Sequence, residues 1–497
     1  MPNLRIVINE DNDHYFKLSP DLMNEASLRA YIDHYAEIGI DTISFCTSGQ
    51  RCSFRSNVLD AIWDPLDDGT KPDNLWTRNA ETLFNAGIDP YVIWLDQCRK
   101  RCIHAWISTR MNDMHHVHPS LRFRADRRWF HHPEWMRGPF RGPLLPNKDW
   151  KYYQDLTRDM AWNYAHPEVR ALMYSLLIEN TERYDAEAFE LDFSRGFFLL
   201  THGHSQEDAH FLTEMLREYK KHMKQLEERR GHKIKVAVRL PWTPQIALSW
   251  GFDARQWAAE KLIDVIVVAP FWASFQYEFH MDEWRATVGN YVELLPAVDE
   301  WVTPYPDAPI TETTAEFLRG WCAVMAEQHA DAVYIFNFPY YLQDEYLKHE
   351  ASKFREMACF GMNRILDSNA PRCSQIGYLD YPAEGVSPQS CFPIKLDGSP
   401  KTITLPFGRI PSGGKVTVKL AFAEPASQEA LEVRLNGFLA DNDGAVPIAA
   451  LRTGDNEITL KGTAGIAVNL FLRWMPANDI HDSIPSLTKM QRRKRFP

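Results

Sequence analysis

The sequence predicts a (β/α)8 barrel, an α/β fold of the TIM type, followed by a small antiparallel β-sandwich. Short β-branched or apolar runs alternate with long amphipathic runs as far as about residue 366, the pattern of a parallel sheet wrapped in helices. The alternation repeats eight times, the number that closes a barrel. From about residue 371, period-2 segments separated by Gly, Pro, Asn and Asp take over, as in stacked antiparallel sheets. The expected organisation is a barrel over 1–370, a sandwich over 371–478 and a tail over 479–497. The basic cluster Arg492-Arg493-Lys494-Arg495 in that tail is expected to be solvated.

Barrel strands are expected over 4–9, 41–46, 103–109, 188–193, 234–240, 264–269, 291–298 and 331–337. Helices are expected after them over 24–38, 89–101, 167–183, 205–230, 253–262, 281–289, 311–328 and 343–366. Ser205 with Asp208, and Thr311 with Thr314, have the spacing of helix N-terminal caps. The excess length lies over 47–88 and 110–166, after the second and third strands. Long loops at the carboxyl ends of barrel strands build substrate clefts. In the second unit, strands are expected over 402–405, 416–422, 431–435, 457–460 and 467–472. The turns between them fall at Ser412-Gly413-Gly414, Asn436-Gly437 and Gly454-Asp455-Asn456. This module is expected to pack on the barrel as a structural appendage, with carbohydrate binding as the alternative.

Composition bounds the function. A chain of 497 residues, 45% hydrophobic and 24% charged, is ordinary globular protein. Against 66 acidic residues stand 55 basic ones, a net charge of −11, so there is no electrostatic case for nucleic acid as a partner. No apolar run reaches membrane-spanning length. The start lacks the apolar core of a secretion signal, so a cytoplasmic location is expected, or a secreted one if a signal peptide has been removed. The eight cysteines lack paired metal spacing and are expected to be reduced thiols, with Cys98 and Cys102 on one helix face. The 16 tryptophans in a 12% aromatic fraction suit a cleft that grips sugar rings. Oligomerisation is left open.

Chemistry is expected where the strands end. In a barrel strand alternate residues face inward, and the last inward residue at the carboxyl end lines the site. The stretch FELDFSRG, residues 189–196, reads as a buried strand carrying Glu190 and Asp192 on one face. Asn9, His14, Arg110, Asn112, Asp113, His115, Arg239, Asp299, Glu300 and Asn337 fall at or just after other strand ends. Asp192, at the strand tip with Ser194-Arg195-Gly196 turning outward, is the leading catalytic candidate. Glu300 is its expected partner, giving the two carboxylates that glycoside hydrolysis requires. Glu190 and Arg239, on adjacent strands, could equally form a buried ion pair that holds the barrel together. Trp242, Trp272, Tyr340 and Tyr341 are candidates for stacking or hydroxyl binding. His115, His116 and His118 with Asp113 match no strong metal signature, so neither metal nor cofactor is expected.

Residues 164–196 (YAHPEVRALMYSLLIENTERYDAEAFELDFSRG), 110–116 (RMNDMHH) and 238–268 (VRLPWTPQIALSWGFDARQWAAEKLIDVIVV) resemble the glycosyl-hydrolase-like family 10 group among glycoside-hydrolase-type barrels. The resemblance runs in order through most of residues 1–366. It implies carbohydrate-active chemistry, with one acid on strand four, matched by Asp192, and another on strand six or seven, approximated by Glu300. The Asn-Glu pair that marks the acid/base on strand four of the large retaining clan is replaced here by Glu190-Leu191-Asp192. That departure allows Asp192 to be the nucleophile with the proton donor elsewhere. The expected function is thus hydrolysis of O-glycosidic bonds in an oligo- or polysaccharide. Arginines at the mouth favour an anionic sugar. The alternatives are a lyase, epimerase or metal-assisted enzyme on a sugar, and a non-catalytic carbohydrate-binding protein.

Overall fold

A computed structural model describes residues 4–37, 39–117, 119–138, 160–270, 279–299, 301–302, 311–312, 315–337, 371–377, 392–423, 431–463 and 465–477. Eight parallel strands close into a barrel: β1 (Arg5–Glu10), β2 (Thr42–Ser48), β3 (His104–Arg110), β4 (Ala188–Asp192), β5 (Lys235–Pro241), β6 (Val265–Ala269), β7 (Glu293–Asp299) and β8 (Ala332–Phe336). They pair in chain order, and β1 closes the ring against β8 with Val7 opposite Tyr334 and Ile8 opposite Ile335. Each overlaps the expected run to within two residues at either end. The period-2 rule explains how the apolar residues divide. Val7, Trp106, Ala188, Val267, Leu295 and Tyr334 fill the interior as a cluster of their own. Their strand neighbours Ile6, Ile8, Ile107, Leu191 and Ile266 face the helices and join the larger core.

The surrounding helices are α1 (Glu25–Glu37), α2 (Leu75–Asn85), α3 (Pro90–Arg101), α4 (Arg127–His131), α5 (Pro167–Arg183), α6 (Ala209–Arg230), α7 (Pro244–Ser249), α8 (Ala254–Ala259), α9 (Met281–Val288) and α10 (Ala315–Glu327). The expected helix over 343–366 lies outside the described residues. Helix α2 interrupts a segment read from sequence as loop. Its Trp76, Ala80 and Leu83 are buried on one face. Asn74 caps it reciprocally with Thr77, each accepting the other's backbone N–H at 3.1 Å.

Three local expectations are corrected. Helix α6 starts at Ala209, with Asp208 at its cap and no side-chain cap bond, so Ser205 does not begin it. Thr311 pairs as strand with the 301–302 segment, and α10 begins at Ala315. Cys102 does not share a helix face with Cys98. It sits past the end of α3 in the left-handed region, exposed, whereas Cys98 is buried.

The second unit is two facing antiparallel sheets, β9 (Arg372–Gly377), β10 (Ile394–Leu396), β12 (Lys415–Phe422), β15 (Ala445–Val446) and β17 (Gly465–Met475) against β11 (Lys401–Phe407), β13 (Glu432–Leu435), β14 (Phe438–Leu439) and β16 (Gly454–Lys461). Ile403, Leu405, Ile458 and Leu460 of one sheet and Val416, Val418, Leu470 and Leu472 of the other are buried. Asn436 and Gly437 take φ values of 48° and 88° in the two-residue turn joining β13 to β14, as a type I′ hairpin requires. Gly454-Asp455-Asn456, expected as a turn, instead opens β16 opposite Phe407, Pro406 and Leu405. Helix α10 packs against this unit. Glu316 accepts from Arg473 at 2.5 and 3.0 Å. A Cβ on Gly320 would lie 2.2 Å from the Cys373 carbonyl oxygen, which accounts for glycine inside that helix. No helix among the described residues is long and apolar enough to cross a membrane.

Candidate active site

Register decides which polar side chains meet. Parallel pairing sets Arg110, Asp192 and Arg239 side by side across β3, β4 and β5, with Ser108, Glu190 and Ala237 one layer deeper. Arg239 therefore pairs with Asp192, its Nη1 donating at 3.2 and 3.3 Å to the two oxygens. This corrects the expected Glu190–Arg239 pair: the residue opposite Glu190 on β5 is an alanine. Asp192 also accepts the Ser194 N–H at 2.9 Å, and the guanidinium of Arg239 lies 3.9 Å over the ring of Phe336. Asp192 thus meets a guanidinium and a backbone N–H, both of them donors.

Glu190 is placed differently. Its Oε1 accepts from Ser108 at 2.7 Å and from the Tyr334 hydroxyl at 3.4 Å, while Oε2 is buried without a hydrogen-bond partner. Burial, with the charge of Asp192 beside it, pushes its carboxyl up to about 7 against the pull of Ser108 and Arg239. Two acids on one strand face thus have divergent surroundings, which is how one site comes to hold both a base and a proton.

The loops after β1 and β3 meet at Arg110. Its Nη1 donates to Asp113 at 2.5 Å and its Nη2 to both oxygens of Asp11, one of them at 2.5 Å. Burial opposes ionisation of Asp11, but Arg110 and Arg195 outweigh it and hold that carboxyl below its ordinary range. Asp113 is likewise held well below, burial being outweighed by His115, Arg110 and Arg124. His115 shares the Oδ1 of Asp113 through its backbone N–H and its Nδ1, both at 2.9 Å. Burial lowers the His115 imidazole to about 4 and that of His116 to about 3, so neither carries charge at neutral pH.

The remaining expected residues divide by what they touch. Asn9 accepts the Asn337 N–H at 2.6 Å, and Asn337, held at φ 60°, donates from Nδ2 to Asp299 at 3.2 Å. These link the ends of β1, β7 and β8 at the same mouth. Asn112 is directed elsewhere: its amide donates to the Trp162 and Phe198 carbonyls at 3.1 and 2.8 Å, bracing two loops. His14 is fully buried and accepts the Asp11 N–H at 3.1 Å. Trp242 is buried beside His280, ring centroids 5.4 Å apart. Glu300, Trp272, Tyr340, Tyr341 and His118 lie outside the described residues. Missed at the sequence level were Arg195, which turns in over Phe336 rather than outward, and Asp11, which the alternation from Asn9 could have signalled.

A metal hypothesis changes place. Among the described residues, Asp11, Asp13 and His14, rather than His115 and His116, bring one donor atom each within 4.8 Å of one another. Both oxygens of Asp11 already face Arg110, and Lys17 meets Asp13 at 2.5 Å. A cation there would have to displace two existing ion pairs, so the donor set does not fit a resident metal.

No protein-family model matches the chain, and no curated protein does. Among solved structures, the chain is similar to a maltogenic alpha-amylase from Thermotoga neapolitana at 9% identity and a TM-score of 0.40, over 94% of this chain and 99% of that one. It is similar to an endo-beta-1,4-mannanase from Thermotoga petrophila at 11% identity and 0.42, over 95% and 97%. The glycoside hydrolase domain of PgaB from Bordetella bronchiseptica gives 10% identity and 0.41, over 69% and 98%. Likeness at this level adds nothing to the closed barrel that the strand pairing already establishes.

Proposed function

We propose that this protein is a glycoside hydrolase cleaving O-glycosidic bonds of an oligo- or polysaccharide with a pair of carboxylates, Asp192 and Glu300. The observation that supports this most is Asp192 itself: an inward carboxylate at the carboxyl-terminal tip of β4, anchored by Arg239 and the Ser194 N–H. Essentially every characterised barrel enzyme works at that end of its strands. Asp192 acts as nucleophile or activates water, and the second acid protonates the leaving oxygen. Kinship with the glycosyl-hydrolase-like family 10 group is part of the same proposal.

One observation favours a second candidate for the proton donor. Glu190, two residues from Asp192, has an unpartnered Oε2 and a carboxyl pushed up to about 7, so a substantial fraction of it is protonated near neutral pH, as a general acid requires. The test is a screen of chromogenic glycosides and polysaccharides with wild type beside Asp192→Asn, Glu300→Gln and Glu190→Gln. Loss of turnover in Asp192→Asn and in one of the two glutamine variants is the expected result. Full activity in all three would remove the proposed site.

A further inference from the structure

Arg195 is nine-tenths buried, with its side chain 10% exposed, yet it makes no hydrogen bond to any described residue. Among the described residues its ion-pair partner is Asp11, 3.6 Å away and already engaged on both oxygens by Arg110. The guanidinium instead stands 4.7 Å over the ring of Phe336, the ring that Arg239 covers at 3.9 Å. Arg239 uses only Nη1, toward Asp192, and the Nε of both arginines is buried without a partner. Buried N–H groups are almost always satisfied in native proteins. Two guanidinium groups that share one aromatic ring, with most of their donors unused among the described residues, are arranged for an acceptor that those residues do not supply.

The placement is fixed rather than fortuitous. Arg239 is part of β5, and Arg195 is set by the chain on either side of it. Ser194 is tied to Asp192, and Gly196 presses so closely on Asn112 that a Cβ would come 2.4 Å from its carbonyl oxygen. Burial and the charges of Arg110 and Arg239 also lower the proton affinity of Arg195, a cost that an anion between the two groups would relieve. Carboxylates, and tetrahedral oxyanions that present two oxygens side by side, match the guanidinium fork in shape and charge. Arg110, by contrast, has both of its Nη atoms engaged by Asp11 and Asp113 and only its Nε without a partner.

We propose that Arg195 and Arg239, backed by Phe336, clamp an oxyanion carried by the substrate, so that the mouth takes a saccharide bearing a carboxylate or sulfate group. This rests on the carbohydrate reading above, but it is tested by binding alone. The full chain is titrated calorimetrically, at fixed ionic strength, with glucuronate, galacturonate, glucose 6-sulfate, glucose and inorganic sulfate. At least one charged sugar is expected to bind ten-fold or more tightly than glucose, and Arg195→Met, which keeps the stacking volume, to weaken it at least ten-fold. The preference for carboxylate or sulfate identifies the substituent. Equal binding of glucose and the charged sugars, undiminished binding by Arg195→Met, or binding of inorganic sulfate with no gain from the sugar would each overturn the proposal. Asp192→Asn is expected to retain the charged sugar. A chain that binds it through Arg195 but cleaves no glycoside upholds the clamp and refutes the hydrolase. One that cleaves neutral glycosides, with Arg195→Met unimpaired, does the reverse.

Discussion

Replacing Glu190 by Gln should make the protein more stable in alkaline buffer relative to wild type, and not in acid. In the folded chain this carboxyl titrates near 7, against 4.5 when unfolded, because it is buried beside Asp192. Between those values the unfolded chain releases a proton that the folded one keeps. The stability contributed by the neutral form is thus complete below 4.5 and is lost as pH rises toward 7. The full difference corresponds to roughly 3 kcal/mol. Between pH 5 and pH 8 the portion that develops is roughly 2 to 3 kcal/mol. Glutamine is neutral throughout and can still accept from Ser108, whose hydroxyl lies 2.7 Å from Oε1. Urea unfolding of both proteins at each pH isolates the effect of the Glu190 site, since groups that do not face residue 190 titrate alike in the pair and cancel in the difference. A stability difference that stays constant from pH 5 to pH 8 would refute the reasoning, and with it the role of Glu190 as a neutral acid.

Arg239→Ala should destabilise the fold by roughly 3 to 5 kcal/mol, because Asp192 is left buried without its cation; adding Asp192→Asn should recover part of that loss in the same denaturation assay. Gly320→Ala reverses the usual sign for a helical glycine, which gains about 0.5 to 1 kcal/mol from alanine. Here the new Cβ meets the Cys373 carbonyl, and a loss of roughly 1 to 3 kcal/mol is expected from thermal or denaturant unfolding. The imidazoles of His115 and His116, lowered by burial to about 4 and 3, should show flat NMR titrations from pH 8 down to pH 5.5, whereas an ordinary histidine would be half protonated near 6.5.

The barrel was legible because its signal is periodic. Alternation along a strand and amphipathicity along a helix survive in a bare sequence, so all eight strands were located, and Asp192 and Arg239 were singled out as polar groups at strand ends. Pairing was not legible. Which residue on β5 stands opposite Glu190 depends on inter-strand register, and that register handed Arg239 to Asp192. Helix α2 was missed because Pro65, Gly69 and Pro72 just before it make the segment read as loop. Arg195 was missed for a different reason. Its direction is set by the chain turning after β4 and by the contact of Gly196 with Asn112, neither of which follows from residue type. The turn expected at Gly454-Asp455-Asn456 failed because Asn456 makes its turn-like bonds with Arg452 and Gly454 while the backbone joins β16.

Catalysis at the β4 tip depends most directly on Asp192. On whichever glycoside the wild type turns over, kcat for Asp192→Asn should fall by roughly a thousand-fold or more, as for a nucleophile or base engaged only in the transition state, while substrate binding by calorimetry is retained. Turnover within a few-fold of wild type would contradict the assignment of the β4 tip as the catalytic centre.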